Sequence, residues 1–224
     1  DFFTCYSGVR QGCTLSPLLF SLFISKLIQC LDESNTQGIE LLTNDTCIKC
    51  LMYADDVAIV SDTIFDMQRK INVLQSFCNA WKMEVNLEKT KIVVFRNGGV
   101  LKNAEKWFYG GQPLETTSYY NYLGVLFSSR LIWSKHIENM CAKSNQLVSK
   151  VRTVCKRYQK IEKKIIFKIF DSKIKPILLY GSEIWGTLNF QLLEDIQIKI
   201  CKSFLNLGRT SYNACALREC GRYD

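Results

Sequence analysis

The adjacent carboxylates of Asp55 and Asp56 constrain the fold of this chain more than any other feature. Two short apolar runs, residues 48–53 and 57–60, flank the acid pair. Both runs contain β-branched or aromatic residues, which favour strands over helices, and aspartates favour tight turns. The stretch therefore predicts a β-hairpin with the two acids at its tip.

Two neighbouring carboxylates repel each other unless a cation is bound to them. Their oxygens suit Mg²⁺, which usually binds one or two carboxylates together with substrate phosphates. An ordinary surface turn also accounts for a bare Asp-Asp pair. The rest of the sequence has to decide between a metal site and a surface turn.

Positive charge is concentrated in one segment of the chain. The net charge is +8, and residues 131–175 contain twelve Lys or Arg against three acids. Clustered basic charge is typical of a surface that follows a phosphate backbone, and a solvated helical face is the alternative. The basic residues interleaved with an apolar helical stripe are Lys143, Lys150, Arg152, Lys156 and Arg157.

Apolar spacing predicts an α+β chain that changes character near residue 130. Before that point, helices are predicted over residues 17–31 and from Thr63, which forms a capping box with Asp66. Ser16 and Pro17 suit the N-cap and first residue of the earlier helix. Further strands are predicted over residues 92–95 and over residues 119–127, where Gly124 breaks the strand, and further helices over residues 161–174, 177–185 and 192–207.

The eleven cysteines indicate a compartment rather than a metal site. No secretory signal and no apolar run long enough to span a bilayer is present in the sequence, so we expect mostly reduced, buried thiols. Cys47 and Cys50 lack a second pair at zinc spacing, and strand positions explain them better. We expect an intracellular protein of the nucleus and cytoplasm, and a piece of a longer polyprotein because the chain starts at Asp1.

Five stretches follow one another in an order that resembles a polymerase family. They are residues 8–20 (Gly-Val-Arg-Gln-Gly-Cys-Thr-Leu-Ser-Pro-Leu-Leu-Phe), 53–56 (Tyr-Ala-Asp-Asp), 86–91 (Asn-Leu-Glu-Lys-Thr-Lys), 122–124 (Tyr-Leu-Gly) and 176–186 (Pro-Ile-Leu-Leu-Tyr-Gly-Ser-Glu-Ile-Trp-Gly). Together they resemble reverse transcriptases, and most of all those of non-LTR (LINE-type) retrotransposons. The resemblance covers nearly the whole chain.

This resemblance implies a fold, an activity and partners. Residues 1–130 match the later part of a polymerase palm, an antiparallel sheet with helices, and residues 131–224 match an all-helical thumb with connector helices. The implied activity is RNA-directed DNA synthesis by two-metal catalysis with Mg²⁺ or Mn²⁺. The implied partners are an RNA template, a DNA primer, dNTPs and the upstream part of the same polyprotein, with no membrane.

The resemblance also implies roles for single residues. Asp55 and Asp56 match the catalytic metal-binding pair, and Lys89 matches a lysine that helps pyrophosphate leave, with Lys91 as the alternative. The basic helices after residue 130 match the thumb surface that binds nucleic acid. The positions that match residues contacting nucleotide, template or primer are Arg10, Gln11, Gly12, Tyr53, Ala54, Tyr122, Leu123 and Gly124.

The chain departs from the family pattern in its metal ligands. The family places another catalytic aspartate on an earlier strand, after a fingers region, and this sequence starts beyond that point. We therefore expect residues 1–224 to be inactive alone. Two other interpretations stay open: a non-catalytic nucleic-acid-binding remnant or co-opted fragment, and an interaction module whose acid pair is structural.

Overall fold

The computed structural model describes residue 8 and residues 12–41, 47–99, 105–157, 162–186, 191–205, 207–208 and 210–222. The chain divides into two compact units, Asp1–Ile92 with Gly99–Thr117 and Val93–Gly98 with Ser118–Asp224. The chain combines helices with short two-stranded sheets, which confirms the predicted α+β class. No helix in these described ranges is both long and apolar enough to cross a lipid bilayer.

Within its described residues, the first unit combines three helices with four strand pairs. Its elements are α1 Ser16–Ile24, α2 Lys26–Glu33, β1 Ile39–Glu40, β2 Cys47–Ile48, β3 Cys50–Tyr53, β4 Asp56–Ile59, α3 Ile64–Trp81, β5 Lys91–Ile92, β6 Phe108–Tyr109, β7 Gln112–Pro113 and β8 Glu115–Thr116. The antiparallel pairs are β1–β2, β3–β4 and β6–β7, and β5 pairs with β8 in parallel.

The core of the first unit lies between α2, α3 and the β3–β4 hairpin. Leu27 and Leu31 of α2 are completely buried, and Phe77 of α3 is nearly so. Met52 of β3 and Val57 of β4 pack against this cluster. Burial of one face of the hairpin fixes its register, because a slip of one residue would turn the apolar side chains outward.

The predicted helix over residues 17–31 is wrong in one respect, because it is two helices separated at Ser25. The Ser25 hydroxyl donates a hydrogen bond of 2.8 Å to the Leu22 carbonyl. Hydrogen bonds from a serine side chain to the preceding turn often bend helices. Leu15, rather than Ser16, occupies the N-cap position. Ser16 and Pro17 are the first two helical residues, where the missing amide hydrogen of proline is harmless.

The start of α3 has the predicted N-cap but not the second half of the predicted capping box, because the Asp66 carboxylate accepts hydrogen bonds from the Gln37 amide and the Ser61 hydroxyl. The Thr63 Oγ1 accepts a 3.2 Å hydrogen bond from the Asp66 amide, which caps the helix. The strand predicted over residues 92–95 is shorter and ends at Ile92. The chain leaves the first unit there, and the Arg96 amide donates 2.9 Å to the Ser129 carbonyl within the second unit.

The second unit joins one hairpin to a set of helices. Its elements are β9 Tyr119–Tyr122, β10 Val125–Ser128, α4 Ser134–Arg157, α5 Lys163–Ile169, a π-helical turn Phe170–Ile174, α6 Lys175–Leu178, α7 Ser182–Trp185, α8 Gln191–Phe204 and α9 Asn213–Glu219. Its largest core cluster includes Trp133, Ile137, Phe170, Trp185 and Ile196.

The strand predicted over residues 119–127 is broken at its glycine as expected, and it forms the β9–β10 hairpin with Gly124 in the turn. Two predicted helices of the second unit are divided in the structure. The helix over residues 161–174 changes from α to π winding at Phe170. The helix over residues 177–185 is the pair α6 and α7, separated at Gly181 with φ +69°. Pro176 has no amide hydrogen to donate to the preceding turn, so a change in helical winding near it is expected.

Candidate active site and nucleic-acid interface

The predicted acid-pair hairpin is present as a two-residue turn between β3 and β4. Tyr53 pairs with Asp56 across the strands, and Ala54 and Asp55 form the connection. Ala54 has φ +53°, a conformation that costs a non-glycine residue about 1 kcal/mol or more. Backbone strain of this kind is frequent at functional sites, and here it lies immediately before the two acids.

Register places Asp56 on the solvent-facing side of the hairpin. Residues directly opposite in an antiparallel pair share one face of the sheet. Met52 and Val57 pack on the core, so the next pair along, Tyr53 with Asp56, lies on the opposite face. Tyr53 is 65% exposed, and both aspartates are exposed. The hairpin therefore presents a carboxylate beside an exposed aromatic ring.

The acid pair offers oxygen ligands of the kind that Mg²⁺ prefers. No salt bridge found within the described ranges involves Asp55 or Asp56. Within those same ranges, no group of three or more His, Cys, Asp or Glu side chains is placed to hold a metal ion. The donor chemistry therefore fits a hard cation through two carboxylates, with the remaining ligands supplied by other molecules.

The two candidate lysines differ in their surroundings. Lys91 forms a salt bridge with Glu115 across the parallel β5–β8 pair and is half-buried. Lys89 is exposed on a turn, and its amide donates 3.1 Å to Asn86 Oδ1. Lys89 is the more exposed of the two residues, so it is the better placed to meet a phosphate.

The segment before α1 favours negative charge. Gly12 has φ +83° and is exposed, and nothing lies within 4 Å of the position that a Cβ would take at this residue. A hydrogen bond from the Leu15 amide is the main cause that lowers the pKa of the Cys13 thiol. Free amides at a helix start stabilise anions in this way. Arg10 and Gln11 lie outside the described residues.

The Tyr122–Leu123–Gly124 stretch forms the turn of the β9–β10 hairpin. Tyr122 pairs with Val125, which leaves Leu123 and Gly124 as a two-residue connection. Both residues have positive φ, +48° and +82°, as the commonest type of two-residue hairpin turn requires. Leucine is unusual at such a position, so neighbouring contacts must stabilise the conformation.

The basic helix α4 divides the predicted nucleic-acid-binding residues between two sides. Lys143, Lys150 and Arg157 are seven residues apart, so consecutive members of this set differ by only about 20° around the helix. All three are exposed, and we call them the α4 stripe. Arg152 is exposed but lies about 200° from Lys150 around the helix. The side chain of Lys156 is not among those described.

Sequence reasoning missed two residues that stabilise these hairpins. Lys70 on α3 is completely buried and donates 2.6 Å to the carbonyl of Val60, just after β4. Tyr180 donates 2.7 Å to the Leu123 carbonyl at the other hairpin. The spacing of Asp66 and Lys70 by four residues signals the ion pair between these two side chains, not the contact of Lys70 with Val60. No local pattern signals the contact between Tyr180 and Leu123, because 57 residues separate them.

Comparison with known proteins gives a consistent set of relatives. A family model described as reverse transcriptase (RNA-dependent DNA polymerase) matches residues 1–127. The chain is 26% identical over 208 residues to the RNA-directed DNA polymerase from mobile element jockey of Drosophila melanogaster. That alignment covers 88% of this chain and 21% of the relative.

Two further relatives come from the same organism. The probable RNA-directed DNA polymerase from transposon BS is 25% identical, over 80% of this chain and 20% of its own length. The probable RNA-directed DNA polymerase from transposon X-element is 24% identical, over 88% of this chain and 21% of its own length. The chain thus spans about a fifth of the curated relatives that it matches. No solved structure matches it.

Proposed function

The chain belongs to the reverse transcriptase (RNA-dependent DNA polymerase) family, in its non-LTR retrotransposon branch, and we propose that it supplies palm and thumb parts of an RNA-directed DNA polymerase. The proposed reaction joins a dNTP to the 3′-hydroxyl of a DNA primer on an RNA template, and pyrophosphate leaves. The observation that carries this proposal is the β3–β4 hairpin, which presents Asp55 and Asp56 at a strained, exposed turn within the matched residues.

Asp55 and Asp56 are the residues that would hold the divalent ions, Mg²⁺ or Mn²⁺, that this family generally uses. When bound, such ions polarise the phosphate oxygens and lower the pKa of the attacking hydroxyl. The exposed face that Asp56 shares with Tyr53 leaves room for a primer end beside the carboxylate. The small side chain of Ala54 keeps the turn open to that primer end.

The remaining candidates have supporting roles in this proposal. Lys89, an exposed residue, assists the leaving pyrophosphate by donating a proton to it or by stabilising its negative charge. Gly12, with Arg10 and Gln11, lines the incoming nucleotide and the template. Open space around Gly12 allows close approach of a ligand to the backbone. The turn of Leu123 and Gly124, next to Tyr122, grips the primer strand.

The α4 stripe and its neighbours follow the phosphate backbone of the primer–template. Lys143, Lys150 and Arg157 repeat about every 10 Å along the helix axis, because seven residues rise by about that distance. Charge contacts of this kind fix position without reading sequence. The α4 surface therefore suits a duplex of any sequence.

We propose that residues 1–224 bind nucleic acid but do not polymerise by themselves. Two-metal catalysis needs enough carboxylate ligands to hold both ions while charge builds on the transferred phosphate. Within the described ranges the acid pair has no third acidic, His or Cys partner. This observation also favours a second candidate function, a non-catalytic nucleic-acid-binding remnant of a retrotransposon.

Primer extension separates the two candidate functions. The chain is assayed alone and joined to the upstream part of its own open reading frame, with an RNA template, a labelled DNA primer, dNTPs and Mg²⁺. We expect extension only by the joined protein, abolished by Asp56→Asn and kept by Asp62→Asn, which removes an exposed carboxylate outside the hairpin. Lack of extension by the joined protein would favour the remnant. Robust extension by residues 1–224 would contradict the expected inactivity.

A further inference from the structure

The stretch over residues 176–186 has no role in the function proposed so far. In the structure its centre is the bend between α6 and α7, where Tyr180 and Gly181 lie. The Tyr180 hydroxyl donates a 2.7 Å hydrogen bond to the backbone carbonyl of Leu123. This bond joins the bend directly to the β9–β10 turn, at a residue whose φ is +48°.

Two glycines let the bend and the hairpin approach each other closely. A side chain added at Gly124 would place its Cβ 2.9 Å from the Tyr180 ring. One added at Gly181 would place its Cβ 2.8 Å from a methyl group of Val125. Both glycines also have positive φ, +82° and +69°. Backbone conformation and close packing therefore both require glycine, at Gly124 in the hairpin turn and at Gly181 in the bend.

The bend is itself anchored in the core of the second unit. The Trp185 indole nitrogen donates 3.0 Å to the Tyr180 carbonyl, and Trp185 is 1% exposed. The His136 ring lies 5.7 Å from the Trp185 ring, and its Nδ1 accepts 3.1 Å from the Leu126 amide of β10. The hairpin is thus held from Tyr180 at its turn and from His136 at its second strand.

We propose that Tyr180 is a positioning residue that holds the Leu123–Gly124 turn in the conformation that meets the primer strand. The proposal rests on the primer-gripping role given to that turn under the proposed function. Tyr180 is 50% exposed, so its hydroxyl adds little to core burial. The main structural effect of the Tyr180 hydroxyl is to hold the carbonyl of Leu123. Without this hydrogen bond, the strained backbone of Leu123 would be free to leave the left-handed region.

The test compares Tyr180→Phe with the matched control Tyr212→Phe in the 224-residue chain. Each change removes one phenolic hydroxyl, and Tyr212 is 80% exposed and lies far along the sequence on the N-terminal side of α9. Hydrogen exchange is measured over residues 119–128. A DNA primer carrying 4-thiothymidine at its 3′ end, annealed to RNA, is then crosslinked to each protein.

We expect exchange of the hairpin amides in Tyr180→Phe to rise by roughly fivefold, the effect of losing one neutral hydrogen bond. The crosslink yield to residues 119–128 should fall while overall affinity for the duplex, carried by the α4 stripe, stays unchanged. Tyr212→Phe should change neither. Gly124→Ala, which pushes against the Tyr180 ring from the other side, should reproduce both effects.

If hydrogen exchange of the hairpin amides is unchanged in Tyr180→Phe, the proposal is overturned, whether or not the chain takes part in polymerisation. Faster exchange with an unchanged hairpin crosslink would overturn the link between Tyr180 and the primer. If the unaltered chain does not bind the duplex at low salt, the proposed function fails instead. The exchange experiment still decides in that case whether Tyr180 holds the turn.

Discussion

The ammonium of Lys70 lies 2.8 Å from the carboxylate of Asp66, one turn earlier on α3, and its side chain is completely buried. The same ammonium donates 2.6 Å to the Val60 carbonyl, just beyond β4. Asp66 also accepts hydrogen bonds from the Gln37 amide and the Ser61 hydroxyl, at 3.0 and 2.9 Å. This ion pair fastens the end of the acid-pair hairpin to the helix behind it.

Removing one partner of this pair should destabilise the first unit strongly. Lys70→Ala leaves the buried Asp66 carboxylate without its cation, and breaking a buried pair typically costs about 3–5 kcal/mol. Urea unfolding followed by circular dichroism measures the loss. Arg69→Ala is the matched control, because Arg69 is exposed and its contact with the Asn35 carbonyl is long, at 3.4 Å. Equal losses in the two variants would show that the buried pair contributes nothing special.

The free energy of unfolding of the second unit should decrease as the pH falls below about 6.5, because of His136. Burial lowers the pKa of His136 below the ordinary value of 6.5, so the unfolded chain takes up the proton first. Neutral His136 contributes its full stabilisation above about pH 6.5. This stabilisation is lost as the pH falls towards the pKa of His136 in the folded chain. The maximum slope is about 1.4 kcal/mol per pH unit for one proton.

His136→Gln isolates this effect because the sequence contains a single histidine. The glutamine oxygen can still accept from the Leu126 amide, which donates to His136 in the structure. Urea unfolding at pH 7.5, 6.5 and 5.5 should show a loss in the unaltered chain and a nearly flat profile in the variant. Parallel profiles would mean that His136 is not the titrating group.

A single surface change should stabilise the chain. Lys82 follows α3 with φ +53°, and a non-glycine residue pays a steric cost of roughly 1 kcal/mol there. Lys82→Gly relieves that cost, so we expect the free energy of unfolding to rise by about 0.5–1 kcal/mol. Lys82→Ala retains the strain and serves as the control. A glycine variant no more stable than the alanine variant would contradict the left-handed conformation at this residue.

Replacing the α4 stripe should weaken nucleic-acid binding in a salt-dependent way. The triple change of Lys143, Lys150 and Arg157 to Ala should lower the slope of log affinity against log salt by about three, roughly one for each lost phosphate contact. A fluorescent RNA–DNA duplex titrated at several salt concentrations measures the slope. The control removes three exposed basic residues of the first unit, namely Arg69, Lys82 and Lys106. An equal decrease of the slope in the control would show that binding depends on total positive charge and not on α4.

Magnesium should bind weakly to the acid pair in this chain. Two exposed carboxylates give Mg²⁺ few protein ligands, so we expect a dissociation constant of roughly 1 mM or weaker. Titration calorimetry with MgCl₂ alone measures it, and Asp55→Asn should abolish what binding there is while Asp62→Asn leaves it unchanged. A tight stoichiometric site lost with Asp55→Asn would show that the chain supplies further ligands.

The local features of this protein were predictable from short stretches of its sequence. The two short apolar runs on either side of Asp55 and Asp56 were sufficient to predict their hairpin, because strand composition and turn chemistry are contained within about a dozen residues. The Thr63 cap of α3 and the long basic helix after residue 130 were predictable for the same reason. The order of motifs was sufficient to indicate the family, which the comparisons confirm.

The way in which distant residues support those features could be seen only in the folded chain. The burial of Lys70, the pairing of Lys91 with Glu115 and the hold of Tyr180 on Leu123 join residues up to 57 positions apart or depend on what packs over them. The break at Ser25 likewise interrupts a continuous apolar period. Periodicity reports which face of an element is apolar, whereas partners and close approaches depend on how whole elements pack, which no short stretch of sequence encodes.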